Sequence, residues 1–101
     1  KEYFEVNAFL IIDLSIHDPR LFSEYLTMIP FFVKKHLGRY IVQGAEATVV
    51  ENEWKPEKVV VIEFPSRKNA EAFLSDPEAK ELFKLRHKST TSKMILVDGC
   101  C

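Results

Sequence analysis

The sequence predicts an α+β domain made of two strand–helix–strand halves, in the order β-α-β-β-α-β. Three observations carry this. Residues 6–16 alternate with period two. Asp18-Pro19 and Asp76-Pro77 each open a helical pattern. Residues 58–64 and 93–98 are dense in Val, Ile and Leu after each half's turn signals. At 101 residues the chain is long enough for one domain, residues 1–101, and too short for two. Area scaling allots a self-contained chain of this size about 5,900 Å² of surface when folded.

In the first strand the even positions Val6, Ala8, Leu10, Ile12, Leu14 and Ile16 form a continuous apolar face. The odd face is mixed, but Phe9 and Ile11 make it too apolar to stand in water. Asp18 suits an N-cap and Pro19 the first helical position. Phe22, Tyr25, Leu26, Ile29, Phe32, Val33 and His36 then recur at three- and four-residue steps, one apolar stripe. Pro30 is expected to kink or split this helix, and Gly38 to stop it. Residues 39–43 read as the second strand, with a bulge at Gly44 and a continuation over 48–51. Residues 52–57 make a turn carrying Trp54 and Pro56, and 58–64 form the third, central strand. Ser66 caps a short helix to Leu74, Asp76-Pro77 restarts one to about Lys88, and residues 93–98 close the sheet. Right-handed crossovers then produce a ferredoxin-like βαββαβ fold, a four-stranded antiparallel sheet with the helices on one face.

That architecture leaves the other face uncovered. Its expected members are Phe9, Ile11, Asp13, Arg39, Ile41, Gln43, Val59, Val61, Glu63, Met94 and Leu96. So large an apolar face exceeds what a monomer usually exposes. Burying about 600 Å² of it would favour association by roughly 15 kcal/mol before entropic and ordering costs. The expected partner is a second copy, sheet against sheet, in a dimeric α/β barrel.

Net charge is −1, from 14 Lys and Arg against 15 Asp and Glu, so no overall field recruits nucleic acid. No apolar run is long enough to span a membrane, and no secretory signal pattern is present. The cysteines, Cys100 and Cys101, are adjacent and cannot staple separate parts of the fold. A reduced tail and a cytoplasmic protein are the expectation. His17, His36 and His87 lack the spacing of a metal site, so no metal or cofactor is expected.

Three groups stand out for chemistry. Asp13, Arg39 and Glu63 fall on one sheet face, where sheltered carboxylates would serve as acid or base and Arg39 would hold an anion; a structural ion pair is the simpler account. His36 ends the first helix, as a proton shuttle or as an ordinary C-terminal residue. Tyr25, Trp54 and Arg86 join aromatic walls to polar handles, as ligand pockets do. The acid–base candidates are therefore Asp13, Glu63 and His36; the ligand-binding candidates are Arg39, Tyr25, Trp54 and Arg86. No P-loop, nucleophile elbow or dinucleotide fingerprint occurs, and only 3 glycines are present to build one.

The segments His17-Asp18-Pro19, Gly38-Arg39-Tyr40-Ile41-Val42-Gln43-Gly44, Trp54-Lys55-Pro56, Ile62-Glu63-Phe64-Pro65-Ser66, Ser75-Asp76-Pro77-Glu78 and Ile95-Leu96-Val97-Asp98-Gly99 together resemble the domain of unknown function 1330 family. The resemblance implies a dimeric α/β barrel and no established activity. The chain departs from the family pattern at Leu37-Gly38, where two glycines are usual. It departs again at Gln43-Gly44-Ala45, where Arg-Gly-Gly is common, and at Ala79, where an aromatic is common. The expected function is homodimeric binding of a small ligand near the barrel interface. The alternatives are a cofactor-independent enzyme of the small monooxygenase or isomerase kind, and a structural or regulatory dimerisation module.

Overall fold

Alternation in the first strand decides which side of the sheet is dry. The computed structural model describes residues 6–100; the chain start at Lys1 and the last residue, Cys101, lie outside them. Strand β1 spans Ala8–Ile16, and Ala8, Leu10, Ile12 and Leu14 are all buried on one side of it. Helix α1 spans Pro19–Lys35, β2 Arg39–Ala45, β3 Lys58–Phe64, α2 Arg67–Leu74, α3 Lys80–Ser89 and β4 Thr90–Asp98. A 3-10 turn, Pro77–Ala79, leads into α3. The strands pair antiparallel in the order β2-β3-β1-β4. Phe22, Tyr25, Ile29 and Val33 of α1 share one core with Ala70 and Phe73 of α2, Leu82 of α3 and the even residues of β1. All helices therefore lie on one face. This is the ferredoxin-like α+β fold, the subunit architecture of dimeric α/β barrels. No helix among the described residues is long and apolar enough to cross a membrane.

The caps follow their residue types. The Asp18 carboxylate accepts from the Leu21 amide at 3.0 Å, and Ser66 Oγ accepts from the Asn69 amide at 3.2 Å. Pro30 neither splits α1 nor ends it. Both Pro30 and Leu26, whose carbonyl loses its helical donor, are exposed residues, so the lost bond costs little here.

The stop of α1 also differs from expectation. Leu37, not Gly38, takes the left-handed conformation, with φ 66°. The Gly38 amide donates to the Val33 carbonyl at 2.8 Å and the Leu37 amide to the Lys34 carbonyl at 2.9 Å, which is a Schellman motif. Gly38 is required for another reason: a Cβ there would lie 2.6 Å from the ring of buried Phe64.

Two further expectations are corrected. Residues 48–51 form no strand, because Ala45 already pairs with Val59 and little of β3 remains beyond that point for them to pair with. The ladder shifts register near Ile41 and again at Gly44, whose φ is 75°. Met94 pairs with Ile12, Leu96 with Leu10 and, after the shift in β2, Gln43 with Val60, so all three lie on the helix side; Lys93, Ile95 and Val97 of β4 occupy the open face instead. A one-residue error in register exchanges the faces completely.

Asp76 ties the helical layer together. Its carboxylate, 3% exposed, accepts from Lys35 Nζ at 2.8 Å and pairs with His36 Nε2 at 2.7 Å, both at the end of α1. It also caps the Glu78 amide at 2.9 Å. These bonds, that from Lys35 foremost, hold its carboxyl well below the usual carboxylate range.

Two tests follow from this packing. Leu37→Gly removes left-handed strain at an exposed site and should raise stability by about 0.5–1 kcal/mol, whereas Gly38→Ala must displace Phe64 and should lower it by about 1–3 kcal/mol. Urea midpoints at constant slope check both, and a pair of losses would contradict the cap assignment. A carboxyl with a lowered folded pKa adds stability that is complete above its unfolded value of 3.8 and is withdrawn as pH falls below it. Asp76→Asn should therefore be less stable than wild type at neutral pH, with a flatter loss of stability on acidification.

Candidate functional site

The sheet side of α1 does not close completely on the strands. A cavity of about 340 Å³ lies between them. Ile12, Leu14 and Ile16 of β1 and Val60 and Ile62 of β3 form its floor; Phe22, Tyr25, Leu26 and Pro30 of α1 form one wall. Tyr40 reaches it from β2 because its cross-strand partner is buried Ile62, which fixes its side chain on the helix face. Arg86 enters from the last turn of α3, while Gln43, Gly44 and Lys58 complete the lining.

The polar groups in this apolar space are few and specific. Burial pushes the Tyr25 phenol above its ordinary pKa, an effect the neighbouring Arg86 guanidinium partly offsets. Burial pushes Tyr40 further up, with Tyr25 adding to the shift. Both phenols stay protonated near neutrality and act as hydrogen-bond donors, not as bases. The Arg86 guanidinium carbon lies 6.0 Å from the Tyr25 ring centroid and 5.4 Å from that of Phe83, within cation–π range of both. Among the described residues, no carboxylate and no histidine lines the cavity.

The open sheet face holds a different set. Arg39 Nε donates to Glu63 Oε1 at 2.6 Å, and Asn7 Nδ2 donates to Glu63 Oε2 at 2.5 Å. The Arg39 hydrogen bond, then that from Asn7, holds the Glu63 carboxyl below its usual range. Asp13 is on the same face but four residues further along β1, about 13 Å away at strand rise. It accepts a hydrogen bond from Trp54 Nε1 at 3.1 Å, which brings the loop between β2 and β3 back over the sheet.

Of the residues singled out in the sequence, Tyr25 and Arg86 meet in the cavity. Arg39 and Trp54 lie on the opposite face, Arg39 with Glu63 and Trp54 with Asp13. His36 is engaged with Asp76 at the end of α1. His17 pairs with Thr91 at 2.5 Å and His87 with Arg86 at 3.1 Å, so the three imidazoles stay apart. Tyr40 was missed from sequence. Placing Arg39 and Ile41 on the open face already puts Tyr40 on the helix side; that a cavity opens beside it depends on how α1 packs and has no signal in the sequence.

Solved structures share this fold. RPA0582, a protein of unknown function from Rhodopseudomonas palustris, superposes with a TM-score of 0.77 at 16% identity, covering 97% of this chain and 85% of that one. SnoaB, a cofactor-independent oxygenase from Streptomyces nogalater, superposes with a TM-score of 0.66 at 13% identity, covering 95% of each chain. An antibiotic biosynthesis monooxygenase assignment from Nitrosomonas europaea gives 0.56 at 8% identity, with 99% of this chain and 96% of that chain covered. At these identities the likeness is one of fold. No curated protein matches the chain in sequence. Over residues 7–100 the sequence matches the profile described as Domain of unknown function (DUF1330), and the chain belongs to that family.

Proposed function

We propose that this protein is a homodimer that binds one small, largely apolar molecule in the cavity between α1 and the sheet of each subunit. The observation that carries the reading is the cavity itself. At about 340 Å³ it falls within the range of small-molecule sites, with aliphatic and aromatic walls and a few convergent donors. Tyr25 and Arg86 would hold the ligand's polar end, joined by Tyr40. Arg39 and Trp54 are assigned to the open face, where they would contact the partner subunit.

Dimerisation is supported by the surface. Ile41, Ile95 and Val97 are exposed on the side without helices, beside half-buried Phe9, Ile11, Val59 and Val61. The chain exposes 7158 Å², against about 5,900 Å² for a self-contained chain of this size. A second copy laid sheet to sheet would cover the excess and place the Arg39–Glu63 pairs within the interface.

A cofactor-independent oxygenase is the second reading, favoured by the likeness to SnoaB. The lining supports binding more directly than acid–base catalysis. Asp13, Glu63 and His36 lie outside the cavity, and its tyrosines are held protonated. Catalysis in this cavity would need a substrate that ionises without a carboxylate or imidazole base.

Light scattering at micromolar concentration should return about twice the chain mass, and Ile95→Lys, placing charge on the apolar open face, should return a monomer. Wild type at the mass of one chain would end the dimer proposal. For the cavity, the neutral fluorophore N-phenylnaphthylamine should bind wild type and bind Val60→Phe at least about tenfold more weakly, a loss of about 1.4 kcal/mol. Equal binding by a folded Val60→Phe protein would remove the cavity as the site.

A further inference from the structure

Arg86 is a buried cation without an anion. Its side chain lies in the cavity wall, and the residue is only 8% exposed. Among the described residues the ion pairs join Lys35, His36, Arg39, Lys58, Arg67 and Lys84 to carboxylates, and none reaches Arg86. Its Nε is buried with no hydrogen-bond partner. Its Nη2 lies 3.1 Å from Nε2 of exposed His87. Because guanidinium nitrogens only donate, that imidazole nitrogen must be the acceptor.

The protein compensates this charge only in part. The rings of Tyr25 and Phe83 supply their π faces, the Tyr25 oxygen interacts with the guanidinium, and the C-terminal end of α3 supplies a favourable dipole. None of these supplies a hydrogen-bond partner to Nε. A buried charge and a buried orphan donor both cost free energy, and proteins seldom keep either without a counterpart.

We infer that the missing counterpart is the carboxylate of the bound molecule, so that the cavity selects an apolar monocarboxylic acid. This deepens the binding reading above and rests on it. The side-on edge of an arginine, Nε with Nη2, presents parallel donors matched to two carboxylate oxygens. His87, accepting from Nη2 at the exposed end, is the group such a carboxylate displaces. The protonated phenol of Tyr25 stands beside the guanidinium to donate to a carboxylate oxygen. The remaining walls are apolar, and Lys58, the other cation at the lining, is itself paired with Glu46 at 3.9 Å. One buried positive charge matches one negative charge, which favours a carboxylate over a phosphate dianion. An empty cavity of about 150 Å³ accepts benzene, so the larger volume here suits an aryl or medium-chain acid.

The test compares naphthoate with naphthalenemethanol, its neutral analogue, by calorimetry on the full chain near neutral pH. Naphthoate should bind roughly 10–100-fold tighter to wild type, and Arg86→Gln should abolish that preference while retaining affinity for the alcohol. Equal affinities in wild type would overturn the carboxylate inference and leave the binding site standing. Binding of neither compound would overturn both. A readout independent of the variant's folding is the Arg86 Nε–H signal in nitrogen-labelled wild-type protein. Naphthoate should shift it and the alcohol should not; a signal unmoved at saturation would also overturn the inference.

Discussion

One-sided cover of the sheet is the constraint from which the other features follow. The even residues of β1 are sealed by α1, α2 and α3, and the helical layer is locked by Phe64, Phe73 and Phe83, whose successive ring centroids are 5.4 and 5.5 Å apart. Gly38 lets the start of β2 approach Phe64 where any side chain would collide. With all helices committed to one face, the other keeps its apolar residues at the surface. The same commitment leaves α1 leaning on the strands along its length, so any mismatch in packing opens a space between them.

That space lies beside β2, the edge strand whose ladder is interrupted twice. Tyr40 pairs with Ile62 ahead of the first shift, and that shift brings Gln43, opposite Val60, to the cavity. Arg86 enters from α3 at a point where its backbone is firmly held. Its carbonyl accepts from Thr90 Oγ1 at 2.6 Å, and Ser89 and Thr90 are both buried. A long cationic side chain on a fixed turn, flanked by two rings, has little freedom to withdraw to solvent. Cavity and charge are thus held together by the fold and not by each other.

The two faces carry separate chemistry. The helix side has phenols and a guanidinium in an apolar cavity that no carboxylate among the described residues lines. The open side has Asp13 and Glu63, each already engaged, by Trp54 and by Arg39 with Asn7. A carboxylate with a lowered pKa and two donors is a poor base at neutral pH, which makes Glu63 better suited to fixing geometry at an interface than to moving protons. His36 serves the same kind of purpose at the end of α1, where it and Lys35 share Asp76.

Local chemistry by itself determined much of this protein. Alternation in β1, the Asp and Ser caps with their prolines, and the order of strands and helices state the fold without reference to any long-range contact, because each depends on neighbours a few residues apart. That Tyr25 and Arg86 stand out was legible for the same reason: each is a polar residue on an otherwise apolar helical stripe, and both line the cavity. What only the tertiary structure decided depends on register and close approach. Which of Met94 and Ile95 faces water turns on a single residue of β4 pairing, and the side of Gln43 turns on the register shift near Ile41. That Leu37 and not Gly38 turns left-handed, that Trp54 reaches Asp13, and that Arg86 is buried without an anion are outcomes of three-dimensional packing. No short-range pattern encodes them, because Phe64 beside Gly38, Asp13 beside Trp54 and Tyr25 beside Arg86 are all distant in the chain.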